Sequence, residues 1–433
     1  MRQFLQFLGI PVAMAGSLCA ALAQTSPPVE LSPRPAARPG DSAMTAPRET
    51  RPHRMPAPAS CSGGFLKWRD AFRARALARG VQPSVFDRAM ASARYDPGIV
   101  ERDRNQSEFT RAIWDYLDSA VSAARVRAGE AALKAHARIL AAIERRYGVE
   151  KEIVAAIWGL ESSYGAVRGD TPIFTALATL ACDGRRQAFF ESQLVDALKI
   201  LQSGEARLAQ MRGSWAGAMG HTQFMPAAWL RFAVDFDGDG RRDIWSDDPT
   251  DALASTAAYL AGNGWRKGQP WGLEVRLPEG FDYMATSERV KKPVSAWMAM
   301  GVRDARGRRI PEHGPASILL PAGHHGPAFM IFDNFHVLER YNTADAYVIA
   351  VGHLADRLRG GAPIRHPWPR GDRMLNFAER VELQQRLTAA GFDTRGVDGI
   401  IGPNTIAAIQ AWQAAQGLVP DGYASLAVLA ALR

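Results

Sequence analysis

Lys151–Gly165 reads KEIVAAIWGLESSYG, and the fold is read outward from it. Val154, Ile157, Trp158 and Glu161 fall at i, i+3, i+4 and i+7, the spacing of one helix face, so a carboxylate stands on an apolar stripe. Gly165 is placed to end that helix. A Glu near a helix end, with Trp158 and Tyr164 close by, is partly desolvated, which disfavours its charged form. Such a group can hold a proton near neutral pH and serve as a general acid. The pattern alone equally admits a carboxylate at the stripe's edge that reaches water or a local Arg.

Around this segment the chain is predominantly helical in pattern from Phe65 to Gly264, with apolar residues three and four apart in Ala131–Tyr147 and Glu191–Gln202. From Trp271 to about Met330 the texture changes. Leu273–Leu277 alternates, and Ile318-Leu319-Leu320 and Phe329-Met330-Ile331 are short apolar runs between Gly and Pro, so a small β-containing insert is expected. Helical pattern returns at Phe335–Arg340 and Ala344–Leu358. A Pro/Gly-rich linker over 359–373 then sets off a tail, 374–433, with three helical patterns: Ala378–Ala390, Pro403–Gln416 and Ser425–Leu432. The expected class is mainly α (α+β), with a catalytic body over 61–358 and a small helical module behind it.

The chain has 433 residues, enough for two or three units. Apolar residues at 47% and charged residues at 22% exclude a largely disordered chain. Lys+Arg 52 against Asp+Glu 44 gives +8, which suits an acidic partner: nucleic acid, anionic lipid or an anionic wall polymer. Arg2, the apolar stretch Phe4–Leu18 and Ala21-Leu22-Ala23 read as a secretory signal over 1–23, and residues 24–60 as a Pro/Ala-rich tether. Export to the periplasm disfavours a nucleic-acid partner, and no second long apolar run suggests a membrane span. Cys19 raises lipidation, but Leu18 stands where a small residue is wanted. Cys61 and Cys182 remain after cleavage; in an oxidising compartment they pair, or else they are buried free thiols. Three cysteines exclude a disulfide-framework toxin and a four-thiolate zinc site.

Five blocks then carry a family resemblance: WGLESSYG, Ala176–Phe190 (ALATLACDGRRQAFF), Ser214–Trp229 (SWAGAMGHTQFMPAAW), Asp235–Trp245 (DFDGDGRRDIW) and Arg340–Tyr347 (RYNTADAY). In this order they resemble the membrane-bound lytic transglycosylase B family, glycoside hydrolases with a lysozyme-like domain that cut peptidoglycan. The resemblance implies that Glu161 protonates the oxygen between MurNAc and GlcNAc. It then takes a proton from the MurNAc 6-hydroxyl, which closes a 1,6-anhydro ring. One carboxylate then suffices, where glycosidases ordinarily use two. It also implies that Ser214 and Gln223 line the cleft, that Arg185 and Arg186 meet carboxylates of the peptide stem, and that Tyr341, Asn342 and Tyr347 contact sugar. Where the family often has an aromatic, this chain has His221-Thr222 before Gln223. Asp170 and Asp183 are read as structural.

Asp235, Asp237 and Asp239 with Gly240 match the opening of an EF-hand loop, and oxygen ligands favour Ca²⁺. The twelfth position is Ser246, not Glu. Arg241 can offer its carbonyl, and Asp247, Asp248 or Asp251 can close the shell; the resemblance points to Asp251. The plain alternative is a hydrated acidic turn. A structural Ca²⁺ is expected, with no cofactor for catalysis. His324-His325, flanked by Gly and Pro, read as a turn.

The tail resembles the peptidoglycan-binding domain 1 family in Leu383–Leu387, Gly396-Val397-Asp398-Gly399, Gly402–Thr405, Ala411-Trp412-Gln413 and Asp421-Gly422. It would hold an enzyme on an insoluble polymer. Peptidoglycan strands are the expected partner, with cell-wall synthesis or division proteins as further candidates. The competing functions are a muramidase that hydrolyses with water and a non-catalytic, Ca²⁺-stabilised wall-binding protein.

Overall fold

Eleven helices run from Phe65–Ala78 to Thr250–Gly262 and share one hydrophobic core in a computed structural model describing residues 61, 64–104 and 111–433. The expected signal, tether and Cys19 lie outside the described residues. The helix Lys151–Ser162 occupies the middle of this body. Its Ala155 and Ala156 are as fully buried as Ile153, Val154 and Ile157, so the helix is enclosed on nearly every side instead of along one stripe. Small side chains make this possible: they let the helices Asp345–Leu358 and Ala123–Ala135 pack closely against it.

Two local expectations need correction. Ala131–Tyr147 is not one helix but two, Ala123–Ala135 and Ala137–Tyr147, broken at His136, whose ring meets Trp158 edge-on at 5.3 Å. The Lys151 helix ends at Ser162, before Gly165, because Ser163, Tyr164 and Gly165 all have left-handed backbone (φ 50°, 59° and 88°). Tyr164 is held there by its hydroxyl, which donates to the Arg125 carbonyl at 3.1 Å, and by its ring lying over Gly159, where a Cβ would stand 2.5 Å from the ring.

The insert is an antiparallel sheet in the order Lys292–Pro293, Pro315–Leu319, Ala328–Ile331, Gly272–Arg276, Arg303–Asp304. It has its own small core around Trp297, Ile318, Met330 and Phe332. The chain then returns through Asp333–Tyr341 and Asp345–Leu358. The tail forms three helices, Phe377–Ala389, Pro403–Ala415 and Leu426–Leu432, around Leu383, Leu387, Ile409, Trp412 and Leu429. Asn376 and Glu379 make a capping box on the first, and Pro403 opens the second.

The linker does not isolate the tail. Trp368 lies between Trp114 and Phe329, with ring centroids 6.3 and 6.5 Å away, and Arg370 pairs with Asp118 at 2.7 Å. Beyond it, buried Asp421 accepts from the His324 backbone N–H at 3.0 Å and pairs with its Nδ1 at 2.5 Å. Gln410 donates to the Thr286 carbonyl at 3.1 Å. Pro and Gly removed helix from this segment without removing its contacts.

Candidate active site

Glu161 sits in the last turn of the central helix and is half-buried. Its Oε1 accepts a 2.5 Å hydrogen bond from the Tyr347 hydroxyl, across from the helix Asp345–Leu358. Tyr347 is 5% exposed, so it braces the carboxylate instead of offering the sugar-stacking face expected of it. Tyr341 stands at the end of the preceding helix. Its hydroxyl donates to the Thr222 carbonyl at 2.5 Å, and its ring packs against Tyr259 and Phe224. Burial, with the neighbouring charge of Glu161, pushes both phenols well above the ordinary tyrosine range. Both therefore stay protonated and act as donors.

The Ser214–Trp229 block forms the facing wall. It turns through antiparallel bridges pairing Gly213 with Met219 and Met219 with Phe224. Ser214 Oγ accepts from the Ala216 and Ala218 N–H groups at 3.3 and 3.1 Å, which closes the first turn. Gln223 has φ 54°, and its carboxamide N–H groups go to the carbonyls of Gly220 (2.8 Å) and Arg168 (3.0 Å). Ser163, Tyr164 and Gln223 are three of the four non-glycine residues with left-handed backbone among the described residues. Strain gathered at one place, held by surrounding contacts, is characteristic of functional sites. Met219 and Phe224 are core. Asn342 Oδ1 accepts from Ala344 N–H at 3.1 Å and opens the Asp345 helix.

Arg185 and Arg186 are not grouped with Glu161. Arg185 and Arg186 both bind the buried carboxylate of Asp103, the latter at 2.6 Å. Both guanidinium groups thus have a carboxylate partner inside the chain, some eighty positions upstream. Asp183 likewise pairs with Arg104 at 2.8 Å.

Asp235, Asp237 and Asp239 each place a carboxylate oxygen within 4.8 Å of the others, and all three are exposed. Loop N–H groups hold them: Gly238 and Gly240 donate to Asp235 at 2.7 and 2.8 Å. Asp251 does not join the cluster. Both of its oxygens accept from the loop backbone, from Phe236 at 2.7 Å and Asp243 at 2.9 Å, and burial pushes its pKa up to about 6. It braces the loop from behind. Three converging carboxylates suit a hard cation with oxygen ligands. Cys61 and Cys182 are joined, with Cα atoms 5.7 Å apart.

The sequence reading missed a buried polar group behind the site. Trp158, Ser162, Arg168 and His221 connect the end of the Glu161 helix to the acidic loop. The one available signal was His221 itself.

A peptidoglycan binding domain family model matches residues 378–432. The chain is 35% identical over 215 residues to membrane-bound lytic murein transglycosylase B of Escherichia coli (strain K12), covering 48% of this chain and 56% of that relative. The chain thus spans about half the length of that curated relative. Among solved structures, SltB3 from Pseudomonas aeruginosa in complex with NAG-anhNAM-pentapeptide is 51% identical with a TM-score of 0.83, over 85% of this chain and 99% of that one. The Escherichia coli lytic transglycosylase Slt35 in complex with calcium is 28% identical with a TM-score of 0.59, over 67% of this chain and 92% of that one. The transglycosylase SLT domain model matches residues 64–356, the whole body that presents Glu161, and the chain belongs to that family.

Proposed function

We propose that this protein is an exported lytic transglycosylase that cleaves the MurNAc–GlcNAc β-1,4 bond of peptidoglycan and leaves 1,6-anhydro-MurNAc ends. The observation that carries the reading is the carboxylate of Glu161, braced by the Tyr347 hydroxyl at 2.5 Å on the helix that faces the Gln223 block. Glu161 gives its proton to the glycosidic oxygen as the C1–O bond breaks. The same carboxylate then accepts the proton of the C6 hydroxyl, whose oxygen bonds to C1. Atoms balance without water, and Glu161 ends in the protonated state in which it began. Tyr347 donates to the carboxylate throughout and stabilises it between the two transfers. Ser214 and Gln223, fixed by their own turns, face the sugar. The SltB3 complex with an anhydro product supports this outcome.

Asp235, Asp237 and Asp239 would hold a structural Ca²⁺ with the Arg241 carbonyl, and the Slt35 complex with calcium supports that ion. The ion takes no part in proton transfer. The tail would retain the enzyme on the wall. Among the described residues no helix is long and apolar enough to cross a membrane.

Mass spectrometry of products from purified wall tests the reaction. Anhydro ends are expected, one water lighter than the reducing ends a muramidase would leave. Glu161→Gln should lower the rate by about 10²–10⁴-fold or more, because the amide cannot donate the proton. Turnover within a few-fold of wild type would remove Glu161 from the mechanism.

A further inference from the structure

His221 takes no part in the reaction above, yet it is 3% exposed and every polar atom it has is engaged. Its Nδ1 faces the Trp158 indole N–H at 3.1 Å. Its carbonyl accepts from the Ser162 hydroxyl at 2.5 Å. Its Nε2 faces the Ser246 carbonyl at 2.7 Å, and its backbone N–H donates to the Ile244 carbonyl at 3.1 Å. Trp158 and Ser162 flank Glu161 in one helical turn. Gly165 completes the fit, since a Cβ there would stand 2.7 Å from the imidazole ring.

We propose that His221 is a positioning residue which, as the uncharged Nε2–H form, clamps the turn that carries Glu161 to the Gln223 block and to the end of the acidic loop. The proposal rests on Glu161 being the acid–base group.

The partners dictate the proton's place. An indole N–H only donates, so Nδ1 must accept; a carbonyl only accepts, so Nε2 must donate. One tautomer satisfies both, and Arg168 Nη1, which can only donate, spends its N–H groups on the Ser246 and Trp245 carbonyls at 2.6 and 3.1 Å instead of on Nε2. A second proton would set N–H against N–H at Trp158 and break the clamp on its Glu161 side. The charged groups around the ring are Arg168, whose Nη1 lies 3.2 Å from Nε2, and Asp247 and Asp243 from the acidic loop. Asp248 and His136 stand further out, the latter edge-on to Trp158. Burial, helped by Arg168, outweighs the Ser246 carbonyl and the two aspartates and holds the imidazole below its ordinary pKa. The ring is therefore neutral at neutral pH, and acid opens the clamp.

The full exported chain provides the test, read on indole ¹H–¹⁵N resonances and on steady-state kinetics. The Trp158 resonance is identified by its loss in Trp158→Phe. It should be shifted downfield, move on acidification with a single titration, and lose both features in His221→Phe. His221→Phe should lower kcat about 10- to 100-fold with KM within about twofold, the mark of a displaced catalytic group. His221→Asn, whose carboxamide oxygen can stand near Nδ1, should recover most of kcat and lose the acid limb that His221 contributes to the pH profile. A Trp158 resonance indifferent to His221, equal impairment of Phe and Asn variants, or a folded His221→Phe with wild-type kcat would each overturn the proposal. If His221→Phe does not fold, the Asn variant and the titration of the wild-type indole decide. The indole signature should persist in Glu161→Gln, so failure of the clamp and failure of the Glu161 assignment read out separately.

Discussion

Tyr347 donates a 2.5 Å hydrogen bond to Glu161, and its removal has a calculable consequence. A hydrogen bond to a charged group contributes roughly 1.5–3 kcal/mol. Tyr347→Phe should therefore lower kcat by about 10- to 100-fold, with little change in the melting temperature because the ring stays packed. A loss below twofold would mean that the bond positions nothing. That Glu161 stands on a largely buried helix was legible in the sequence, since the apolar residues before it keep helical spacing. The duty of Tyr347 was not. An aromatic near a sugar site suggests stacking, and only the fold shows that its ring is enclosed while its hydroxyl points at Glu161. The contact of Arg185 and Arg186 with Asp103 was hidden for a related reason: nothing local announces that Asp103 will arrive beside them.

At the scale of elements, two features invite measurement. The helix Asp345–Leu358 carries half-buried His353, whose pKa desolvation and Arg357 lower to about 4. Unfolded, it would titrate near 6.5, so between these values the unfolded chain binds more protons and stability rises with pH. The contribution is complete above about pH 6.5 and is lost as pH falls toward 4. Asp251 and Asp356, both raised to about 6, act in the opposite sense and flatten the total. His353→Leu should therefore show a shallower fall of melting temperature from pH 6.5 to 4 than wild type. The acidic loop supplies the other case. EDTA should lower the melting temperature and Ca²⁺ restore it, Mg²⁺ less well, since a ligand for the folded state stabilises by mass action. An unchanged curve, from protein shown by metal analysis to begin with Ca²⁺, would remove the stabilising role. A helix start marked by turn chemistry, such as Pro403, could be read in advance. The break at His136 could not, because apolar spacing continues across it. Left-handed Ser163 and Tyr164 were hidden too, since contacts from Arg125 and Gly159, not residue preference, put them there.

The molecule as a whole is less divided than its composition suggests. Truncation after Gly360 strips Trp368 from Trp114 and Phe329 and leaves Thr286 and His324 without Gln410 and Asp421. Truncation after Asp372 keeps the tryptophan. Both should melt earlier than the full chain, the shorter one by several degrees more, at about 2–4 °C per kcal/mol lost for a body of this size. Equal melting temperatures for all three would mean that the docking contributes no stability. A linker's Pro and Gly announce missing helix and say nothing about the surface beneath.

The link between Cys61 and Cys182 has a mechanical side. It joins Cys61, ahead of the helix Phe65–Ala78, to the end of the helix Ile173–Asp183, across 121 positions of sequence. Tension on the residues before Cys61 would travel through sulfur directly into a helix buried along nearly its whole length. The helices between, from Phe65–Ala78 to Lys151–Ser162, would lie outside the load path. A pull could then not peel them off one at a time from the N-terminal end, and Glu161 would keep its place on a strained line. Reduction would reroute the same force through the outer helices first, so the oxidised chain should resist a pull that the reduced chain yields to.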